Sequence, residues 1–160
     1  MKLYFGGGKE LEIKQNTIIK VMDLVFICSA IIFNISVSLV YLATKFDDSL
    51  LLQVSGLFVI ALIIPFSITL YEYIRKETKR KIIISHIFIL LYLFLELLLD
   101  FILMIPFRDI VLLHIPYIIV FYTAEFSMIG VSFDRNRKLG FVVLVTFFIL
   151  LGCLVFLYIF

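Results

Sequence analysis

Charged residues are scarce in this chain. Only 16% of its 160 residues are Asp, Glu, Lys or Arg, whereas 64% are hydrophobic, and the mean hydropathy is +1.20. A water-soluble domain of this size needs far more polar surface around its core. The composition therefore excludes a soluble globular fold and predicts a membrane protein. The net charge of +2 also gives no reason to expect a nucleic-acid partner.

Cysteine is limited to Cys28 and Cys153, and both lie in apolar runs. In the topology derived below, their depths in the bilayer differ by about 12 Å at 1.5 Å per helical residue, which excludes a disulfide between them. The chain also lacks the HExxH, HxxxH and DxxD patterns of metal sites. No metal is predicted, and the sequence identifies no cofactor.

Tryptophan is absent, so tyrosine has to supply any aromatic belt at the membrane interfaces. Tyrosines do occur near the ends of the long apolar runs. We interpret the following as belt residues: Tyr4, Tyr41, Tyr71, Tyr73 and Tyr158.

Five apolar runs are each long enough to cross a bilayer as a helix. The predicted spans cover about residues 21–44, 50–73, 82–106, 110–133 and 139–160. Pro106, Arg108 and Asp109 separate the third run from the fourth, and Pro65 predicts a kink in the second. The predicted fold is an all-α, polytopic bundle of five transmembrane helices over residues 21–160.

Residues 1–20 form a separate N-terminal segment with a different pattern. Leu3 and Phe5 alternate with polar neighbours, Gly6–Gly8 follow, and Leu11 and Ile13 alternate with Glu and Lys. Such a pattern is typical of a short hairpin with a glycine turn. We therefore predict a small hairpin at the membrane surface.

The basic residues set the orientation. All 14 except Lys45 and Arg108 lie before the first span, between the second and third spans, or between the fourth and fifth. With five spans these three segments fall on one side, as the positive-inside rule requires. The sequence thus predicts a multi-pass protein of the cell membrane with a cytoplasmic N-terminus and an external C-terminus.

Acidic residues occur within the predicted spans, where charge is costly and commonly functional. Glu96 and Asp100 lie four residues apart on the third span, which places both carboxyl groups on one helix face. Eleven residues, or three turns, separate His114 from Glu125 on the fourth span, and Asn34 lies near the centre of the first. If the polar faces of these three spans point inward, they form one polar core open toward the outer leaflet. The candidate proton or cation relay comprises Asn34, Glu96, Asp100, His114 and Glu125.

A structural interpretation of the same residues stays open. Polar side chains in membrane bundles often hydrogen-bond neighbouring helices, and Asn34 fits that role better than a ligand role. Asp23, Glu72 and His86 lie near the cytoplasmic ends of their spans, where we interpret them as interfacial anchors.

Three functions are compatible with this pattern. The first is a small transporter or channel subunit that moves protons, cations or a small solute by means of the intramembrane carboxylates. The second is an intramembrane enzyme that modifies a lipid or an isoprenoid with an acid–base pair. The third is a structural subunit of a membrane complex. The expected partners are the lipid bilayer and further subunits, as a homo-oligomer or a larger complex, because five short helices rarely enclose a pathway alone.

Overall fold

The computed structural model describes the backbone of residues 7–103 and 110–159, and the side chains of residues 17–103 and 110–159. This part of the chain is helical apart from short connections and contains no strand, so the all-α prediction is confirmed. The elements, in chain order, are α1 (Gly7–Lys45), α2 (Ser49–Ala61), α3 (Ile63–Arg75), α4 (Arg80–Glu96), a π-helix (Leu97–Ile102), α5 (Val111–Arg135) and α6 (Arg137–Ile159).

Five helical stretches in the described residues are long and apolar enough to cross a membrane. The second consists of α2 and α3 together, and the third consists of α4 with the π-helix. Their bounds are Thr17–Lys45, Ser49–Arg75, Arg80–Ile102, Val111–Arg135 and Arg137–Ile159. The protein is therefore a multi-pass membrane protein with the predicted number of spans.

The second span is interrupted, as Pro65 led us to expect. α2 ends at Ala61, Leu62 lies between the two helices, and α3 begins at Ile63. Proline has no N–H to donate to the carbonyl four residues earlier, which here is that of Ala61. The break therefore falls one turn before the proline itself.

Two local predictions do not match the structure. The predicted strand around Leu11 and Ile13 is wrong, because the backbone from Gly7 onward already belongs to α1. Residues 1–6, the other half of that hairpin, lie outside the described residues. The third span ends at Ile102, before the predicted limit at residue 106, and residues 104–109 are also outside the described part.

α1 is the central helix of the bundle and packs against α2, α3, α5 and α6. Its Phe26 and Phe33 rings also reach side chains of α4. The buried core consists mainly of aromatic and branched apolar residues, whereas many large apolar residues point outward, such as Leu57, Leu112 and Phe148. Outward apolar side chains are what a bundle surrounded by lipid requires.

The two ends of the bundle differ in charge. We call the end that carries the 76–79 loop and the turn at Asn136 the basic end, and the end that carries the 46–48 loop the opposite end. At the basic end, Lys81 of α4 forms an ion pair with Asp134 of α5, and Arg75 pairs with Glu72 at 3.2 Å. Basic residues from different loops thus share one side of the bundle.

Candidate functional site

A cavity of about 800 Å³ lies in the half of the bundle next to the opposite end. Helices α1, α2, α4, α5 and α6 and the π-helix all contribute to its wall. The volume falls in the range of small-molecule sites, roughly 300–1,000 Å³. Its acidic, imidazole and aromatic lining residues are Tyr41, Tyr92, Glu96, Asp100, Phe101, His114, Tyr117, Phe121, Tyr122 and Tyr158, and no Lys or Arg is found among the described lining residues.

Glu96 lies at the end of α4, and two tyrosines hold its carboxylate. The Tyr92 hydroxyl donates to Glu96 Oε2 at 3.2 Å, and Tyr117 of α5 donates to the same oxygen. The two hydroxyl oxygens are themselves 3.0 Å apart. Two donors on one oxygen orient the carboxylate and stabilise its negative charge. This cluster joins α4 to α5 at the cavity wall.

Asp100 and Phe101 reach the cavity from the π-helix. The Leu103 N–H donates to the Leu98 carbonyl at 2.8 Å, a five-residue step in place of the four-residue step of an α-helix. Single π-turns inside membrane or soluble helices occur often at functional sites. The sequence predicted a regular α-helix here, with the carboxyl groups of Glu96 and Asp100 one turn apart. Both carboxyl groups line the cavity, although the π-helix changes that spacing.

His114 of α5 also lines the cavity, and its ring stacks on that of Tyr117 with centroids 6.5 Å apart. Its Nδ1 atom is buried without a hydrogen-bond partner among the described residues. An imidazole nitrogen in that state is available to a ligand in the cavity. Glu96, Asp100 and His114 thus all line the same cavity.

Asn34 does not line this cavity. Its side chain is fully buried between α1 and α6, where Nδ2 donates to Thr146 Oγ1 at 2.9 Å and to the Val143 carbonyl at 3.3 Å. These contacts link two helices, which is the structural role considered for this residue. The five residues therefore do not form the single polar core that the sequence predicted.

Glu125 lies outside the cavity as well. Its side chain is 0% exposed on α5, and neither carboxyl oxygen has a hydrogen-bond partner among the described residues. Its face of α5 also carries the buried Phe121 and Met128, so it points into the bundle and not toward lipid. The structure thus contains a buried carboxyl group separate from the cavity.

A second polar cluster lies near the basic end. The Tyr73 hydroxyl donates to Asp23 Oδ1 at 2.6 Å, and the Arg135 guanidinium lies over the Tyr73 ring at 4.7 Å. Arg135 Nε is 3.3 Å from Asp23 Oδ1, a contact of opposite charges without hydrogen-bond geometry. The imidazole of His86 packs edge-on against Tyr73, with centroids 5.0 Å apart. Asp23, Tyr73, His86 and Arg135 form what we call the inner cluster.

The sequence interpretation missed part of both clusters. His86 was expected to be an interfacial anchor, but it is 0% exposed and faces the bundle interior. Its position could have been found from the spacing of Ile82, His86, Ile89 and Leu93, which share a buried face of α4. Tyr41 and Tyr158, interpreted as belt residues, line the cavity near its outer rim.

Within residues 17–103 and 110–159, no three His, Cys, Asp or Glu side chains are placed so that they could share a metal ion. The arrangement instead combines carboxylates, an imidazole and aromatic faces. No protein-family model, curated protein or solved structure matches the chain.

Proposed function

We propose that this protein is a small membrane transporter or channel subunit and that its solute is a small organic cation. The observation that carries the proposal is the cavity, which Glu96 and Asp100 of the third span and His114 of the fourth span all line. Charged side chains are costly at this depth, and a cationic solute would offset that cost.

The rest of the lining supports a cation with apolar substituents. Tyrosine and phenylalanine faces attract cations within about 6 Å of the ring centroid. The cavity combines such faces with aliphatic side chains, including Val37, Leu52 and Leu154. A fully hydrated metal ion would not use the aliphatic part of this surface, whereas an alkylammonium group with an apolar body would contact all of it.

The cavity is closed toward the basic end by a layer of three aromatic rings. Phe33 of α1 lies 5.6 Å from Tyr92 of α4 and 6.5 Å from Phe121 of α5, and Tyr92 and Phe121 are 5.3 Å apart. We call Phe33, Tyr92 and Phe121 the ring layer. Transport across the membrane requires this layer to part during the cycle, as in carriers with alternating access.

Assembly with further subunits is part of the proposal. Five helices form one small bundle, and large apolar residues cover the outer faces of α5 and α6. A homo-oligomer or a larger membrane complex would cover part of that surface, and lipid would cover the rest. Mass measurement of the detergent-solubilised protein at several concentrations tests this expectation.

The test of the function uses the purified chain in lipid vesicles with tetraphenylphosphonium and tetraethylammonium as probes. Glu96→Gln and Asp100→Asn should each weaken probe binding by about tenfold or more, since each removes a Coulombic attraction on the order of a few kcal/mol at an effective dielectric constant of about 20. Asp47→Asn is the matched control, because it removes the same charge from an exposed loop at the same end. Unchanged binding and flux in both cavity variants would refute the proposal.

A further inference from the structure

We infer that Glu125 and His86 form a proton relay between the cavity and the basic end, so that solute movement is coupled to protons. The inference rests on the proposed transport function, which it makes more specific. Neither residue lines the cavity, and both are 0% exposed.

Glu125 has the properties of a buried proton donor. Both of its oxygens lack a hydrogen-bond partner among the described residues, and apolar side chains such as Phe121 and Met128 share its face of α5. An unpartnered ionised carboxylate is very costly to bury, whereas the neutral acid is far less so. In the acid form, one O–H group therefore has no acceptor among the residues that the structure describes.

His86 has the complementary property. Its Nδ1 atom is 2.9 Å from the Ile82 carbonyl, which can only accept, so Nδ1 carries the hydrogen. In the neutral ring, Nε2 is then an unprotonated base, and this atom is buried without a hydrogen-bond partner in the described part of the chain. Phe26 at 4.6 Å and Tyr73 at 5.0 Å hold the ring in place. An acid without an acceptor and a base without a donor thus occur in one bundle interior.

The two groups lie at similar depths on helices that pack against each other. The ring layer gives a common reference, because Tyr92 and Phe121 are in contact there. Glu125 is four residues beyond Phe121 and His86 is six residues before Tyr92, which places them about 6 Å and about 9 Å from the layer on the basic side. No hydrogen bond or ion pair joins them directly, so a bridging water molecule or a side-chain rotation completes the path.

The relay moves a proton from the cavity to the basic end of the bundle. The Glu125 O–H bond breaks as the His86 Nε2–H bond forms, which leaves a carboxylate and an imidazolium. When the ring layer parts, the Glu125 carboxylate, one helical turn from the cavity-lining Phe121, takes up a proton from the cavity. The imidazolium passes a proton by water to the Asp23 carboxylate, whose side chain is 17% exposed.

The charged and titratable groups around His86 favour rapid release of that proton. They are Tyr73 on α3, whose ring contacts the imidazole, and Asp23 on α1 and Arg135 on α5, which both contact Tyr73. Arg135 repels an imidazolium, and Asp23 attracts the departing proton. Toward the cavity, the titratable lining groups of α4 and α5 are Tyr92, Glu96, His114, Tyr117 and Tyr122.

Infrared spectroscopy of the full chain in vesicles tests the relay without any solute. The carbonyl band of a protonated buried acid should be present in the wild type and absent in Glu125→Gln. After transfer to deuterated buffer, its shift should be slower by roughly a hundredfold in His86→Gln and in His86→Phe, because positioned acid–base groups accelerate proton transfer by that order. Thr69→Val is the control, because it removes a buried hydroxyl that donates to the Phe66 carbonyl of its own helix, and it should exchange at the wild-type rate.

The two His86 variants separate chemistry from packing. Phenylalanine keeps the ring between Phe26 and Tyr73, whereas glutamine keeps a donor for the Ile82 carbonyl, and the intact band in either variant reports a folded site. Slow exchange in both supports the relay, and wild-type exchange in either overturns it. Failure of probe binding in the wild type would refute the proposed solute and leave this measurement unaffected.

Discussion

Gly56 of α2 faces Phe101 of the π-helix across the wall of the cavity: a Cβ atom at residue 56 would lie 3.4 Å from Phe101 Cζ. The wall is thin at this point. Gln53, Asp100 and Phe101 line both the cavity and a shallower crevice on the outer surface, which Val54 and Leu57 complete. Asp100 can therefore be approached from the lipid side as well as from within the bundle.

Phe101 should control exchange of a lipophilic cation between the bilayer and the cavity. In Phe101→Ala, we expect faster association and about tenfold faster dissociation of a fluorescent lipophilic amine, because one aromatic contact with a cation contributes about 0.5–2 kcal/mol. Stopped-flow fluorescence with vesicles measures both rates. Phe94→Ala, which removes an outward ring from α4, is the control. Equal rates in the two variants would contradict a path between α2 and the π-helix.

The hydroxyl of Tyr117 should be required for tight cation binding. Tyr117→Phe removes one of two donors to Glu96, so the carboxylate is no longer held in position. We expect binding of tetraphenylphosphonium to weaken by about threefold to tenfold, in line with about 0.5–1.5 kcal/mol for a hydrogen bond. Tyr122→Phe removes another hydroxyl from the cavity lining and serves as the control for isothermal titration. Equal binding of tetraphenylphosphonium by Tyr117→Phe and Tyr122→Phe would show that the Glu96 carboxylate does not need the Tyr117 hydroxyl.

The bond between Asn34 and Thr146 should stabilise the contact of α1 with α6. In a double-mutant cycle of Asn34→Leu and Thr146→Val, we expect a coupling of about 0.6–1.7 kcal/mol, the range for hydrogen bonds between membrane helices. Denaturation in mixed detergent micelles measures the free energies of unfolding. Ser29 bonds only to the Val25 carbonyl of its own helix, so Thr146→Val combined with Ser29→Ala should give additive changes.

The basic loops predict the orientation of the protein in the membrane, and labelling can measure it directly. After replacement of Cys28 and Cys153 by serine, we expect Thr78→Cys to react with a membrane-impermeant maleimide only from the cytoplasmic side. Asp47→Cys should react only from outside, because its loop is at the opposite end of the bundle. The reverse labelling pattern would show that charge does not set the topology of this chain.

Much of the fold could be predicted from local composition alone. A run of apolar residues has to reach across the hydrocarbon layer, so the length of each run sets the position of its span, and Pro65 marks the interruption because it lacks an N–H group. The depth of Glu96, Asp100 and His114 also follows from counting residues along each span. That count placed Asp100 and His114 at one level and Glu96 about one helical turn nearer the bilayer centre.

Only the tertiary structure decided which polar groups meet. The depth of a side chain depends on its residue number. The direction in which it points depends on the rotation of its helix and on the neighbours that the helix packs against. For this reason Asn34 contacts α6, and Glu125 lies outside the cavity. The same reason explains His86, whose place near a span end suggested contact with headgroups although its face of α4 is buried. The π-helix also depends on packing, because a five-residue step has no signature in the amino-acid pattern around Asp100.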